Sequence, residues 1–183
     1  MKTSKEKSKK WVEWILYIIF LIALVWFIIT FVGQRTAVNG DSMYATLENG
    51  DSLWVDKLSY QFKDPERFDI VVFPHEETSG TTYFIKRIIG LPGETVRIDE
   101  KGTIYINDTP LEEDYGYETI ASDEIGIACD NITLGEDEYF VLGDNRNDSR
   151  DSRFADVGNI HRDELVGKTV FRLGPLSKFG RIE

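Results

Sequence analysis

The sequence predicts a mainly β domain preceded by one transmembrane helix. An uncharged, mostly apolar run extends from Trp14 to Val32. After this run, short segments rich in β-branched and aromatic residues alternate with turn residues, which is typical of strands. No later segment has a convincing helical stripe of apolar residues. A chain of 183 residues is long enough for one membrane segment and one domain with its own core.

The apolar run 14–32 is long enough to span a membrane. At about 1.5 Å per residue, a helix of this length crosses a hydrocarbon layer of about 30 Å. A cleaved signal peptide is the alternative, but its apolar core is usually about 7 to 15 residues long and ends at a small-x-small cleavage site. Here the run is longer and is followed by Gly33-Gln34-Arg35, so we expect a membrane anchor.

The charges on either side of the run predict its orientation. Five lysines lie in residues 1–13, whereas Arg35 is the only basic residue close behind the run. Basic residues accumulate on the cytoplasmic side of membrane helices. We therefore expect a cytoplasmic basic tail at 1–13, a transmembrane helix at 14–32 and an extracytoplasmic β domain at 33–183.

Within this domain, the strand-like segments are separated by turns and by one acidic stretch. The predicted strands are Ser52–Val55, Ile70–Phe73, Thr82–Ile89, Thr95–Ile98, Thr103–Ile106, Tyr139–Leu142 and Thr169–Leu173. Residues 65–68 and 162–166 each have room for a helical turn or two. The stretch 107–137 is acidic and irregular, and we interpret it as a solvated excursion between two strands.

Composition argues against several classes of partner and cofactor. The net charge is −11, and an acidic chain does not suit nucleic acid, whose phosphates bind basic patches. Cys129 is the only cysteine, and His75 and His161 are the only histidines, so we expect neither a disulfide framework nor a structural zinc site. The acidic loop that starts at Asp144 lacks the glycine that an EF-hand has at its sixth position. We expect no metal and no cofactor.

Lys86 is the candidate general base. It lies in the segment Thr82–Ile89, where a period of two places it on one strand face with Phe84 and Ile88. A buried ammonium is unfavourable unless it loses its proton or finds a partner, and the pKa of lysine shifts readily on burial. The alternative is a lysine that extends its amine to water along an apolar surface.

Ser42 follows a glycine turn just after the predicted membrane helix, a pattern that is by itself only weak evidence for a nucleophile. Tyr44 stands where the Gly-x-Ser-x-Gly elbow of α/β-hydrolases has its second glycine, so the segment is not that elbow. A turn serine that bonds to its own backbone is the alternative. The histidines have unremarkable surroundings, and a neutral lysine can activate a serine in their place.

A third segment, Tyr139 to Arg153, runs from a strand into a loop rich in Asp, Asn, Ser and Arg. Taken alone, it is typical of a solvated polar loop. The same side chains also suit a rigid frame that fixes a buried lysine and aligns a serine.

Together these segments resemble the bacterial type I signal peptidases, in the single-anchor form of Gram-positive bacteria. The motifs stand in the family's order: Gly40-Asp41-Ser42-Met43 with Thr46-Leu47, Asp69 to Phe73, Tyr83 to Gly93, and Gly143-Asp144-Asn145-Arg146 with Ser149-x-Asp151-Ser152-Arg153. The resemblance covers nearly everything after the predicted anchor except the acidic excursion. It implies a signal-peptidase-like β fold of antiparallel sheets.

The resemblance implies a membrane-anchored serine endopeptidase that cuts signal peptides from secreted preproteins after a small-x-small sequence. Its partners would be these preproteins and membrane lipid. Ser42 would attack the scissile carbonyl and form an acyl-enzyme, with neutral Lys86 as general base. The backbone N–H of Ser42 would donate into the oxyanion hole.

The resemblance also implies a supporting set of residues around this pair. Ser149 would bind the Lys86 amine, and Asp151 would pair with Arg153 to hold the loop. Val38 and Ile85 would line the pockets for small substrate side chains. The remaining supporting positions are Gly40, Met43, Asp144 and Arg146.

Two positions depart from the family pattern. Gly40 stands where a serine can assist the oxyanion hole, and Ala45 stands where proline is usual. A catalytically inactive homologue that serves as an assembly or binding factor is therefore one alternative. A sortase-like transpeptidase that uses Cys129 and His161 is another, although the acidic surroundings of Cys129 do not favour a thiolate.

Overall fold

The computed structural model describes residues 2–78 and 80–182, with side chains described from residue 9 onward. The chain starts with helix α1 (Lys2–Phe27) and a π-helical turn (Ile28–Val32). The strands are β1 (Gly33–Ala37), β2 (Ser52–Asp56), β3 (Ile70–Glu77), β4 (Gly80–Gly90), β5 (Thr95–Ile98), β6 (Ile104–Ile106), β7 (Thr109–Pro110), β8 (Ile132–Thr133), β9 (Glu138–Leu142), β10 (Ile160–His161), β11 (Gly167–Gly174) and β12 (Gly180–Arg181). The other helical segments are α2 (Ser59–Phe62) and the 3-10 turns Gly126–Cys129, Arg162–Glu164 and Leu176–Lys178.

The N-terminal helix is apolar and stands apart from the β domain. The segment Lys9–Val32 is long and apolar enough to cross a membrane, with a mean hydropathy of 3.0 and no burial within the protein. A helix satisfies its backbone hydrogen bonds internally, as a segment in lipid must. The helix starts at Lys2, so the predicted tail 1–13 is itself helical in the part that the structure describes, and Met1 lies outside that part.

The β domain consists of two antiparallel sheets, which confirms the predicted fold class. The large sheet has the strand order β1-β2-β11-β3-β4-β9-β10, and β12 also pairs with β11. The small sheet has the order β7-β6-β5-β8. Strand β4 therefore lies inside the large sheet, between β3 and β9.

Strand β4 is buried on both faces in its second half, from Ile85 to Gly90. Ile85 packs with Val38 and Met43 in one apolar cluster, whereas Ile88 packs with Val71 in another. Apolar side chains on both faces explain why the sequence of this strand reads as a nearly continuous apolar run. Any polar side chain on this half of β4 is therefore withdrawn from solvent.

The stretch 107–137 is exposed over most of its length, as its acidic composition predicts, but it also contributes to the core. Its apolar side chains pack against the small sheet and against Phe140, and four of them are buried: Ile120, Ile125, Ala128 and Leu134. They are spaced without a helical or strand period, because irregular chain and a 3-10 turn carry them. A pattern search that depends on periodicity therefore misses them.

Smaller differences concern short or polar elements. Strand β1 has the polar sequence Gly-Gln-Arg-Thr-Ala and forms because it pairs along its length with β2. Helix α2 was not predicted. Residues 65–68 form a turn instead of a helical turn, whereas the predicted turn at 162–166 is present as the 3-10 segment Arg162–Glu164.

A buried ion pair holds the loop that follows β9. The Asp151 carboxylate accepts hydrogen bonds from Arg153 Nε at 2.7 Å and Arg153 Nη2 at 2.8 Å, and both side chains are fully buried. Asp151 also accepts a bond from the Gly143 N–H at 3.0 Å, and Arg153 Nη1 donates to the Glu124 carbonyl at 2.8 Å. The pair thus connects both ends of the loop to the stretch 107–137.

Replacing Asp151 should destabilise the domain strongly. Asp151→Ala leaves the buried Arg153 guanidinium without its counter-ion, and removing one partner of a buried pair typically costs about 3–5 kcal/mol of unfolding free energy. The matched control is Asp156→Ala, which breaks the exposed Arg150–Asp156 pair. Exposed pairs contribute about 0–1 kcal/mol. Urea unfolding of both variants in detergent measures the difference, and equal losses would contradict the structural role of Asp151.

Candidate active site

The side chains of Ser42 and Lys86 meet beside strand β4 of the large sheet. Ser42 lies in the turns between β1 and β2, and Lys86 lies on β4. Lys86 Nζ donates to Ser42 Oγ at 2.7 Å, although the two residues are 44 positions apart. Gly40 precedes the serine with a φ of +94°, a conformation that suits glycine and turns the chain toward β4.

The Lys86 amine is buried, so the alternative of a lysine that reaches to water is wrong. Its residue is 3% exposed, and Nζ also donates to the Ile85 carbonyl at 3.1 Å and lies 5.1 Å from the Phe84 ring centre. Burial lowers the pKa of Lys86 to about 8, against the opposing influence of the Asp151 and Asp144 carboxylates. A substantial neutral fraction is therefore present near pH 8, and a neutral amine can accept a proton from the hydroxyl that it contacts.

The loop after β9 holds the backbone of the serine. The Asn145 N–H donates to the Ser42 carbonyl at 3.1 Å, and Asn145 Nδ2 donates to the Asp41 carbonyl at 3.1 Å. Gly143 leaves the space that this approach needs, since a Cβ there would lie 2.4 Å from the Ser42 carbonyl oxygen and 2.2 Å from Ser149 Oγ. Gly143 and Asn145 both lie in one of the motifs that carry the family resemblance, but the sequence predicted no role for either residue.

Two further arginine–carboxylate pairs support this loop. Arg87 donates from Nε and Nη2 to the two carboxylate oxygens of Asp144, at 2.9 and 2.8 Å, and both side chains are buried. Arg146 Nη1 donates to Glu113 at 2.6 Å, and Arg146 Nε donates to the Gly143 carbonyl at 3.2 Å. The partners Arg87 and Glu113 were not predicted, because no local pattern shows which distant charge a buried carboxylate or guanidinium meets.

Among the other predicted supporting residues, Ser149 does not make the contact that was expected of it. Met43 is buried in the apolar cluster beneath the serine, and the Gly40 N–H donates to Asn49 Oδ1 at 3.2 Å. Ser149 Oγ is buried and has no hydrogen-bond partner in the described part of the chain, so the predicted bond to the Lys86 amine is not formed. The Tyr44–Ala45 peptide bond, at the position where the family has proline, is cis.

A cavity of about 420 Å³ opens beside the Ser42–Lys86 pair, and Val38 and Ile85 are among its lining residues. Its walls come from two strand edges, residues 36–39 and 82–86. Among the described strands, β1 pairs only with β2, and β4 pairs with β9 only from Arg87 onward. Both walls therefore carry backbone groups that can bind an extended chain.

Within residues 2–78 and 80–182, no three side chains of His, Cys, Asp or Glu form a cluster suited to a metal ion. His161 contacts the carboxylates of Asp137 and Glu138, and Cys129 is exposed at the end of its 3-10 turn. Neither residue lines the cavity beside Ser42.

Proteins of known family match this chain over most of its length. The family model described as "Signal peptidase, peptidase S26" matches residues 11–174. A probable signal peptidase I-2 of Synechocystis sp. is 39% identical over 157 residues, which are 84% of this chain and 68% of that protein. Signal peptidase I T of Bacillus subtilis is 33% identical over 182 residues, which are 97% of this chain and 92% of that protein.

Among solved structures, a signal peptidase I from Enterococcus faecalis has 36% sequence identity and a TM-score of 0.46, over 58% of this chain and 97% of its own. The family assignment depends on the sequence matches, which extend over most of the chain. This chain belongs to the signal peptidase I family and is a serine endopeptidase.

Proposed function

We propose that this protein is a membrane-anchored signal peptidase that removes N-terminal signal peptides from exported preproteins. The observation that carries the proposal is the 2.7 Å contact between a buried lysine amine, Lys86, and the hydroxyl of Ser42. A hydroxyl needs a base to become a nucleophile, and this amine is the base within reach.

In the proposed mechanism, Ser42 Oγ attacks the scissile carbonyl carbon while neutral Lys86 takes the hydroxyl proton. The tetrahedral intermediate then collapses to an acyl-enzyme, and the Lys86 ammonium returns the proton to the leaving amine. A water molecule, deprotonated by the same amine, attacks the ester carbonyl, and the Lys86 ammonium returns the proton to Ser42 Oγ as the carboxylic acid leaves. Lys86 thus ends each half of the reaction in the neutral form in which it began.

The Ser42 N–H is the proposed oxyanion donor. It has no acceptor among the residues that the structure describes, so it is available to the developing negative charge. Gly40 stands where the family can use a serine as a second oxyanion donor. Its own N–H already donates to Asn49 Oδ1, so this position supplies no second donor to the oxyanion. One preorganised donor typically contributes about 10²- to 10³-fold in rate.

The cavity supports cleavage after small side chains. An extended chain placed between the two strand edges presents alternate side chains to the same side. Val38 and Ile85 lie on that side, and both are buried and apolar. We expect these apolar walls to accept small side chains at alternate positions, which is the basis of the proposed small-x-small preference.

The surface around the helix end supports membrane anchoring. The π-helical turn ends at Val32, and β1 begins at Gly33, so only nine residues separate the helix from Ser42. Large apolar side chains are exposed on α2 and after β11, namely Phe62 at 81%, Leu176 at 86% and Phe179 at 59%. Phe62 lines a cavity together with Val32 at the end of the helix. Phe179 contacts Phe171, which pairs with Trp54 of the strand next to β1. We place residues 14–32 in the membrane, the tail 1–13 in the cytoplasm and the domain 33–183 outside.

An inactive homologue and a sortase-like transpeptidase are the competing functions, and one cleavage assay separates all three. With a preprotein as substrate in detergent, Ser42→Ala and Lys86→Met should each lower kcat at least 10³-fold, because each removes one half of the proposed dyad. Cys129→Ala should cleave at the wild-type rate. Full cleavage by Lys86→Met would exclude lysine as the base, whereas loss in Cys129→Ala alone would favour the transpeptidase.

The pH dependence of cleavage follows from the lowered pKa of Lys86. The amine is an effective base only when neutral, so kcat/KM should rise tenfold per pH unit below about 8 and level off above it. At pH 7 about one-tenth of the molecules have the neutral amine. Steady-state rates between pH 6 and 10 test this expectation. A profile that is flat across pH 8, or that falls there, contradicts a lysine base.

The proposed topology can be tested with the single cysteine. Cys129 is exposed on the β domain, so a membrane-impermeant maleimide should label it in right-side-out vesicles and not in sealed inverted vesicles. The matched control is Ser4→Cys in a Cys129→Ala background, for which the labelling pattern should be reversed. Labelling of Cys129 only in inverted vesicles would place the domain in the cytoplasm and overturn the orientation.

A further inference from the structure

Asn145 donates hydrogen bonds to two backbone carbonyls beside the candidate nucleophile. Its backbone N–H donates to the Ser42 carbonyl and its side-chain Nδ2 donates to the Asp41 carbonyl, both at 3.1 Å. These two carbonyls belong to consecutive peptide units on either side of the Ser42 Cα. One residue of a distant loop therefore fixes both peptide planes that flank the candidate nucleophile.

The first of these planes contains the proposed oxyanion donor. The Asp41 carbonyl and the Ser42 N–H are the two polar groups of a single planar peptide bond, and they point in opposite directions. A hydrogen bond that holds the carbonyl therefore also sets the direction of the N–H. Because bonded peptide groups polarise one another, a donor on the carbonyl also makes the N–H a stronger donor to a developing negative charge.

The loop that carries Asn145 is rigid enough to hold the Asp41–Ser42 peptide in one orientation. Asp144, immediately before it, is locked by the two hydrogen bonds from Arg87. Arg146, immediately after it, is buried and bonded to Glu113 and to the Gly143 carbonyl. The side chain that reaches Asp41 thus extends from a backbone held on both sides by buried charged groups.

We propose that Asn145 is a positioning residue, whose side-chain amide orients and polarises the Asp41–Ser42 peptide so that its N–H is preset for the oxyanion. This inference rests on the proposed function of Ser42 as nucleophile. Asn145 itself does not touch Ser42 Oγ or Lys86, so it acts on the intermediate only through the peptide group that it holds.

The test is a comparison of Asn145→Ala with Asn147→Ala in the full-length protein. Asn147 lies on the same loop and also bonds to backbone, through Nδ2 to the Thr119 carbonyl at 3.0 Å and through Oδ1 from the Ala121 N–H at 2.8 Å. It makes no contact with the Asp41–Ser42 peptide. Asn147→Ala therefore also removes a side-chain amide from the loop, but it leaves the proposed oxyanion donor unaffected.

Asn145→Ala should lower kcat for preprotein cleavage about 10-fold, less than the loss of a whole donor, since the N–H remains but is less well aligned. KM should stay within about twofold, and the acid limb of the kcat/KM profile near pH 8 should not move, because Lys86 is untouched. Asn147→Ala should keep both constants within about twofold of wild type. Asn145→Asp, which keeps the size but turns an acceptor toward the Asp41 carbonyl, should lose at least as much kcat.

Several results would overturn the inference. Equal kcat for Asn145→Ala and Asn147→Ala would show that the amide has no special role, and a rise in KM alone would assign it to substrate binding. If Asn145→Ala does not fold, the kcat and KM of Asn145→Asp are compared with those of Asn147→Ala in its place. Ser42→Ala in the same assay keeps the two proposals apart: if Ser42→Ala is inactive while Asn145→Ala matches wild type, only the positioning role fails. If Ser42→Ala is active, the proposed function fails first.

Discussion

Burial of a single amine is the constraint on which the candidate site depends. The Lys86 side chain lies in a half-strand that is apolar on both faces, and the loss of hydration is the largest influence on its pKa. Two carboxylates, Asp144 and Asp151, oppose that influence. Each of them is matched by a guanidinium that donates two hydrogen bonds, so much of its negative field is neutralised locally. Desolvation therefore prevails and lowers the pKa of the amine to about 8, so the amine can lose its proton near neutral pH instead of remaining a fixed cation.

The same strand connects the base to the frame of the site. Lys86 and Arg87 are consecutive on β4, so their side chains leave opposite faces of the sheet. Lys86 reaches Ser42, and Arg87 binds Asp144 at the start of the loop that holds the Ser42 backbone. The nucleophile is thus connected to β4 twice, once through the amine and once through the loop. A shift of either connection changes the distance between Lys86 Nζ and Ser42 Oγ, and proton transfer depends on that distance.

The acidic stretch 107–137 contributes to this frame as well as to the core. Glu113 pairs with Arg146, and the Glu124 carbonyl accepts from Arg153, so two of the three buried arginines that bond to the loop also bond to this stretch. Its buried apolar residues fix it against the small sheet. A segment whose composition is typical of a solvated surface is therefore part of what keeps the loop in place. Most of the acidic side chains in this stretch are exposed, which is why its sequence is typical of a solvated surface.

The sequence by itself indicated the apolar helix and the mainly β domain, and it offered Ser42 and Lys86 as candidates that the resemblance to the signal peptidases joined as a pair. These features have local signals: a long uncharged run, a period of two in the strands, a serine after a glycine and a lysine within an apolar strand. Only the tertiary structure decided that Glu113 is an ion-pair partner, that Asn145 holds the peptide before Ser42, and that Ser149 does not reach the Lys86 amine. Pairings between residues far apart in the chain depend on how two sheets and an irregular stretch pack, and no spacing within one segment encodes that packing.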